Sequence, residues 1–427
     1  IANRLDLGGL NFTVDAACAS ALAALEAAIQ TLVAHTSEMV LVGGADLHNS
    51  INDYLMFSSV QALSRTGNCR SFDSKADGIT LGEGVGVVVL KRLKDAERDG
   101  DHIYAVIKGC AGSSDGKSLG MTAPRLEGQV RAMERAWKRS GVPRHELGLM
   151  EAHGTGTVVG DRTEMESMSR VLGDHGPSMG SCTLGSVKSQ IGHTKCAAGV
   201  ASLIKVCLAL DHAVLPPTLH IEKPNLGWDP KKSPFHFRGV ASPWPEGPEA
   251  RRVAAVSSFG FGGTNFHTVL TDYSNPLDSD PVGKRWSSEL FCLRANDEAA
   301  LNEQLQALLS ALEVERPWRL RDLAASVSQG DEPVQLAFVA SSIEELRAHI
   351  TRALNGEKSE ELHRRSEDKE ISSGQVAFLF SGQGSQYPGM CAELFVSFPC
   401  LGDLLSQAGA WHERIFPPTS FTPEANR

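Results

Sequence analysis

Cys18 is the side chain in this sequence best placed to act as a nucleophile. It follows Thr13-Val14-Asp15-Ala16-Ala17 at a strand-to-helix junction and precedes an alanine-rich helix. A thiol at a helix N-terminus meets free N–H groups and the positive end of the helix dipole. That setting favours thiolate and offers a backbone donor to a developing oxyanion. The same residue also reads as a buried cysteine in a helix cap. His153 stands where the apolar run Leu147–Glu151 enters Gly154-Thr155-Gly156-Thr157. Strand ends are where α/β folds collect ligand-binding groups. Gly154 and Gly156 let the backbone approach a ligand, and Thr155 and Thr157 offer hydroxyls to a polar ligand arm. Read alone, His153 is also a turn histidine. His193 closes the loop Gly185-Ser186-Val187-Lys188-Ser189-Gln190-Ile191-Gly192, just before a second alanine-rich helix. Imidazolium is disfavoured at a helix N-terminus, so this ring should stay neutral and able to donate a hydrogen bond. Lys188, earlier in the same loop, pushes the same way. A capping role fits His193 equally well. The turn Phe259–Thr264, with glycines at 260, 262 and 263, can present backbone N–H groups in a concave nest. It is no nucleotide fingerprint, because a strand follows it and not a helix.

The elements that must position these groups follow from apolar periodicity. Residues 16–35 read as a helix with Leu22, Leu25, Ile29 and Leu32 on one face. Met39–Val42 reads as a buried strand ending at Gly43-Gly44, and Val85–Leu90 as another, followed by a charged helix over Lys91–Arg98. Ile103–Gly109 is strand-like, and Glu127–Ser140 is an amphipathic helix with Val130, Met133 and Trp137 inward. Residues 194–212 read as the second alanine-rich helix, and 253–256 and 265–270 as strands. One echo links the halves: Cys18-Ala19-Ser20-Ala21-Leu22 returns as Cys196-Ala197-Ala198-Gly199-Val200. Two small-residue helices can approach closely, which suits two similar half-folds sharing a central helix layer. After Tyr273 a polar, proline-bearing stretch signals a linker. A small α/β module follows over 289–370, with helices at 299–312 and 343–354, a strand at 334–339 and a charged, solvated end from Arg352. Val376–Phe380 opens a further strand.

Composition narrows the classes. The chain has 427 residues, 41% hydrophobic and 22% charged, a globular composition long enough for two to three domains. Its 41 basic and 51 acidic residues give a net charge of −10, against a general nucleic-acid or anionic-membrane binder. No uncharged apolar run reaches about 18 residues, so no membrane span is expected. The nine cysteines include no C-x-x-C pair, so neither a zinc nor a disulfide framework is supported, and a reducing cytoplasmic setting is expected. The chain begins at Ile1 without a signal peptide or initiator Met, and is expected to be cut from something longer.

Four segments together resemble the β-ketoacyl synthases of the thiolase superfamily: VDAACAS at 14–20, EAHGTGT at 151–157, GSVKSQIGHTKCAAG at 185–199 and SSFGFGGTNFH at 257–267. Their order agrees, and so does the spacing from Cys18 to His153 and on to His193. The resemblance covers residues 1–272 and implies an α/β, thiolase-like layered fold. It implies a linker module over 273–374 and, from FLFSGQGSQYPGM at 378–390, a truncated acyltransferase start over 375–427. The stretches DAACAS, ADLHNSINDYLMFS and SSDG resemble the ketosynthase of polyunsaturated fatty acid synthases and related iterative polyketide synthases. A modular or heterocyst-glycolipid-type synthase also fits.

The resemblance further implies a mechanism. Cys18 would accept the acyl chain, His153 and His193 would assist malonyl decarboxylation, and Lys188 would stand beside His193. The N–H groups of Cys18 and Phe261 would form the oxyanion hole. Thr155 and Thr157 would hold a phosphopantetheine arm, and Phe57 and Ile79 would lie near the acyl pocket. Glu164 would be structural or pair with Lys188, and Asp161 accompanies it. Gln383 matches the acyltransferase position that faces its oxyanion. No metal or redox cofactor is implied; the phosphopantetheine belongs to an acyl carrier protein partner, and malonyl and acyl thioesters are the substrates. A homodimer is implied for the intact parent. Two departures stand out. Only the short segment 1–17 precedes Cys18, so much of the first half-fold and dimer surface is expected to be absent and the isolated fragment inactive. No G-H-S-x-G occurs, so the acyltransferase serine is missing. Two rival readings are a cysteine hydrolase, which has no use for two His-bearing glycine loops, and a non-catalytic docking or scaffold domain of a modular synthase.

Overall fold

The structure is a computed structural model that describes residues 1–117, 120, 122–246, 251–273, 288–313, 318–365, 379, 382, 384–398, 401–409 and 411–421. It divides into two compact units, Ile1–Ser279 with Gln386–Arg427, and Asp280–Ser385.

The first unit is built on a six-stranded mixed sheet. Its strand order is Val106–Ser114, Thr264–Thr271, Val253–Gly260, Leu147–Glu151, Cys182–Gly185 and Phe235–His236. The first three strands pair antiparallel, and the rest join in parallel. Alternation along Val253–Val256 sends successive side chains to opposite faces. Val253 and Ala255 join a core with Met133, Trp137, Met165 and Met168, from helices Leu126–Ser140 and Val158–Leu172. Ala254 and Val256 join a second core with Leu22, Leu25, Leu203 and Val206, from helices Ser20–Val33 and Ala198–Asp211. The helices therefore cover both faces of the sheet.

The echo seen in the sequence is a structural repeat. A single 3-10 turn precedes each of the two alanine-rich helices, Ala17–Ala19 in one case and Lys195–Ala197 in the other. Ala17 (φ 49°) and Lys195 (φ 48°) share a left-handed backbone, as do His35 (φ 56°) and Ala213 (φ 53°) beyond the helix ends. Each of these pairs keeps the same sequence separation as Cys18 and Cys196. Both helices run 14 residues. They meet at Gly199, where an added Cβ would stand 3.0 Å from Leu22 Cγ and 3.3 Å from Ala21 Cβ. Small residues are required there because each backbone presses on the other helix.

Beyond this helix pair lies an antiparallel two-stranded sheet, Met39–Asp46 with Gly84–Lys91. Here the sequence expectation needs correction. The strand from Met39 is not buried: Met39 is 53% exposed, and Val85, Val87 and Val89 of its partner are exposed as well. Val40, Val88 and Leu90 face the helices, while the opposite face is uncovered among the described residues. An apolar run alone does not reveal how many faces of a strand are covered. The expected 103–109 strand is displaced to Val106–Ser114.

The second unit is a three-stranded antiparallel sheet of Glu289–Arg294, Val334–Ala340 and His363–Arg364. Helices Glu298–Glu313 and Ile343–Leu354, close to the expected ones, pack with it, and so does Leu320–Val327, which was not expected. Phe291 and Phe338 stack at 5.4 Å, and Ser342 caps the last helix by accepting the Glu345 N–H. Leu362 is buried within the charged stretch that was expected to be wholly solvated. The segment expected to open a new domain lies, from Gln386, with the first unit. Thr419 N–H donates to the Phe237 carbonyl, and Phe421 meets Trp228 and Phe237 edge-on. The expected strand at 376–378 and 380 lies outside the described residues, as does Gln383.

Candidate active site

The Cys18 turn is held from several sides. Ala17 N–H donates to Asp15 Oδ1 (2.9 Å), Ser20 Oγ donates to the Ala17 carbonyl (2.7 Å), and Ser258 Oγ donates to the Cys18 carbonyl (2.7 Å). A side chain at Gly260 would collide with the Ala16 carbonyl, so the 259–263 turn can lie on the nucleophile only with glycine there. Lys188 favours the Cys18 thiolate, and so do the N–H groups of Phe261 and of Cys18 itself. Burial outweighs them and pushes the Cys18 thiol up to about 11. The helix-terminus argument therefore does not describe the resting residue: at neutral pH it is a thiol, because desolvation of the charge exceeds the local donors.

His153 leaves the end of the Leu147–Glu151 strand, and Glu164 holds its loop. The backbone N–H groups of His153 and Gly154 donate to Glu164 Oε1 (2.7 Å) and Oε2 (2.8 Å). No ion pair from Glu164 to Lys188 is present among the described residues, though the lysine charge acts on it. Asp161 ties the same loop to the next segment, accepting from Phe72 N–H (2.6 Å) and Gly156 N–H (3.1 Å). Burial raises both carboxyls to about 7 against their backbone donors. Ser71 and Ser186 donate to the Gly154 carbonyl.

His193 is strung between Thr80 and Gly82 by backbone bonds of 2.7 and 3.0 Å. Its Nδ1 accepts the Lys195 N–H at 3.0 Å. A backbone N–H can only donate, so the ring proton sits on Nε2. The two imidazoles lie edge to face, 5.6 Å between centroids. Both are held well below the usual histidine range, by burial first and by Lys188 second. The neutrality expected of His193 is present, but its main cause is burial, not a helix terminus. His153 Nδ1 is buried without a hydrogen-bond partner among the described residues.

These groups converge on one cavity of about 210 Å³, which Cys18, His153, His193, Thr155, Thr157, Phe57, Ile79, Glu164 and Phe261 all line. The Thr155 and Thr157 hydroxyls are 3.0 Å apart, and the Phe57 and Phe261 rings 6.4 Å. Lys188 is almost fully buried behind it. Sequence reasoning passed over Gln129 and Asn265, which also line the cavity, and gave no role to Asp115. Asn265 Nδ2 donates to Asp115 Oδ1 at 2.7 Å, and Asp115 N–H donates to the Gly263 carbonyl at 2.8 Å, bracing the glycine turn.

Comparison with known proteins gives the family. Residues 1–96 match the N-terminal domain of β-ketoacyl synthases, 104–222 the C-terminal domain, and 233–334 the ketoacyl-synthetase C-terminal extension. The ketosynthase from the oxazolomycin system of Streptomyces albus superposes with a TM-score of 0.65 at 30% identity, covering 93% of this chain and 68% of that one. The chain belongs to the β-ketoacyl synthase family. The ketosynthase of module 6 of the bacillaene synthase from Bacillus subtilis is 36% identical, with a TM-score of 0.64, over 85% of this chain and 62% of its own. A polyketide synthase of Streptomyces halstedii is 36% identical over 93% of this chain and 5% of its own length. One chain of the polyunsaturated fatty acid synthase of a Thraustochytrium strain is 36% identical over 93% of this chain and 15% of its own. The chain thus spans a small part of the curated synthases it matches. The fold is the thiolase-like one of condensing acyltransferases. Among the described residues no helix is long and apolar enough to cross a membrane.

Proposed function

We propose that this ketosynthase catalyses decarboxylative Claisen condensation, joining an acyl chain on Cys18 to a malonyl extender carried on phosphopantetheine by an acyl carrier protein. The observation that carries the reading is the convergence of Cys18, His153 and His193 on one cavity that Phe261 also lines.

Each step uses groups already in place. The acyl thioester transfers to Cys18, whose proton ends on the departing thiol; Lys188 and the two N–H groups offset part of the cost of the buried sulfur charge. The extender then places its thioester oxygen against the imidazoles. The His193 Nε2–H is aimed by the Lys195 bond at Nδ1, and neutral rings donate to enolate charge as CO₂ leaves. Each such donor is worth about 3 kcal/mol. The carbanion attacks the Cys18 thioester, the N–H pair of Cys18 and Phe261 stabilises the tetrahedral oxyanion, and its collapse breaks the C–S bond to release Cys18 as thiolate, which takes a proton from water to return to the resting thiol. Thr155 and Thr157 hold the pantetheine arm, and Phe57 and Ile79 border the acyl chain.

The product class in this reading is a fatty acid or polyketide elongated by a multidomain synthase of the polyunsaturated fatty acid type, acting in the cytoplasm as a homodimer. Residues 273–374 serve as linker and 375–427 begin an acyltransferase, with Gln383 at its oxyanion position. A non-catalytic scaffold has less support, since all three reacting side chains are present and brought together. The test is covalent labelling: an acyl thioester donor should acylate Cys18 alone, and Cys18→Ala should abolish the mass shift. Labelling retained in that variant refutes the assignment.

A further inference from the structure

Two buried charged side chains behind the cavity have no part in the chemistry above. Glu151, the last residue of the strand that delivers His153, is fully buried. Its Oε1 accepts the Val187 N–H at 2.6 Å and the Ser202 hydroxyl at 3.3 Å, and its Oε2 pairs with Lys205 Nζ at 2.8 Å. Val187 immediately precedes Lys188. One carboxylate therefore ties together the strand end before His153, the turn that carries Lys188, and the helix Ala198–Asp211. Lys205 also lines a second, largely apolar cavity of about 650 Å³ with Val187, Ile191 and Leu208, whereas Glu151 is sealed.

We propose that Lys205 is a positioning residue for Lys188, acting through Glu151: the ion pair holds the Glu151 carboxylate on the Val187 N–H and keeps it from drawing Lys188 away from Cys18. The inference rests on the condensing mechanism only for the role of Lys188. The charged and titratable groups around Lys188 are Glu151, Cys69, Glu164 and Cys18, with Asp161, His153 and His193 also within its influence. Glu151 is the strongest of the groups that favour a charged Lys188. Without Lys205 a desolvated carboxylate is left beside Lys188, and its best recourse is to pull that lysine toward itself. Cys18 would then lose the cation that most favours its thiolate.

The test uses Lys205→Met, the milder Lys205→Gln, Lys205→Arg, Glu151→Gln and the double variant Lys205→Met/Glu151→Gln, in the whole protein. The first readout is the pH dependence of Cys18 alkylation by iodoacetamide, followed by peptide mass. The midpoint should move up by about half a pH unit or more in Lys205→Met and Lys205→Gln, and return in Lys205→Arg. The second readout is condensation, where kcat should fall roughly tenfold with KM changed less than about twofold. The double variant should be no worse than the poorer single variant, since both act on one element. Reduced thermal stability with an unmoved alkylation midpoint would show a merely structural pair and overturn the proposal, as would additive losses in the double variant. If the wild-type protein loads Cys18 but never condenses, the proposed function fails, while the alkylation midpoints still decide the role of Lys205.

Discussion

Gly154→Ala isolates the way the His153 loop is built. Gly154 has φ 41°, in the left-handed region, where a residue with a Cβ costs roughly 1–2 kcal/mol. The added methyl would also stand 2.7 Å from Ser186 Cβ, 2.9 Å from Ser186 Oγ and 3.1 Å from Phe72 Cε2, all shorter than ordinary van der Waals contact. Overpacking of this kind typically costs about 1–3 kcal/mol. The two terms act on one residue, so the loss of folding stability should be about 2–5 kcal/mol if the loop stays put. The loop can relieve the clash only by shifting, and Gly154 N–H is held by the same Glu164 carboxylate that holds His153 N–H. His153 must then move with it. Losing one aligned donor lowers a rate by about 10²–10³-fold. Urea unfolding measures the first effect. The second is read by comparing Cys18 acylation with CO₂ release from a malonyl carrier. Loading should survive while condensation falls, because Cys18 and Phe261 sit on other segments. Adding Ser186→Gly removes the two closest atoms and should recover part of the stability, leaving the backbone strain. A Gly154→Ala protein with stability within about 0.5 kcal/mol of wild type and full condensation would refute the reasoning.

The two histidines should divide the chemistry in the same sense: His153→Ala and His193→Ala are expected to keep measurable Cys18 acylation but lose condensation by about 10²-fold or more. Equal loss of both activities would mean that they hold the site together instead. Away from the site, His267 is fully buried beside Ser257 (2.9 Å), and burial pushes its pKa down to about 3. The unfolded chain binds that proton near pH ~6.5. The contribution to stability is therefore complete above that pH and is lost as pH falls through the interval down to the folded value. His267→Asn should flatten the decline of unfolding free energy between about pH 6.5 and pH 4; an unchanged slope would show that another group controls it.

Much of the site is legible in the sequence, for reasons that are local. Cys18 at a strand-to-helix junction, His153 after an apolar strand and His193 before an alanine-rich helix each announce themselves through turn chemistry and periodicity. The echo between Cys18 and Cys196 likewise marks a repeat that the paired 3-10 turns and 14-residue helices display. Only the tertiary structure decided whether Cys18 and His153, far apart along the chain, meet in space, and what their surroundings do to them. Desolvation depends on every atom packed around a group, and no sequence window contains that information. For this reason the Cys18 sulfur, read locally as a favoured thiolate, is a resting thiol with its value pushed up to about 11. The run Met39–Val42 reads as a buried strand because its residues are apolar, yet one face of the strand Met39–Asp46 is uncovered among the described residues. The two N–H groups that Glu164 accepts, from His153 and Gly154, are brought to it only by the fold of the loop onto a helix. Glu151 opens the EAHGTGT segment, but nothing in the sequence links it to Lys205. They are distant along the chain, and only the packing of a strand end against a helix makes them a pair.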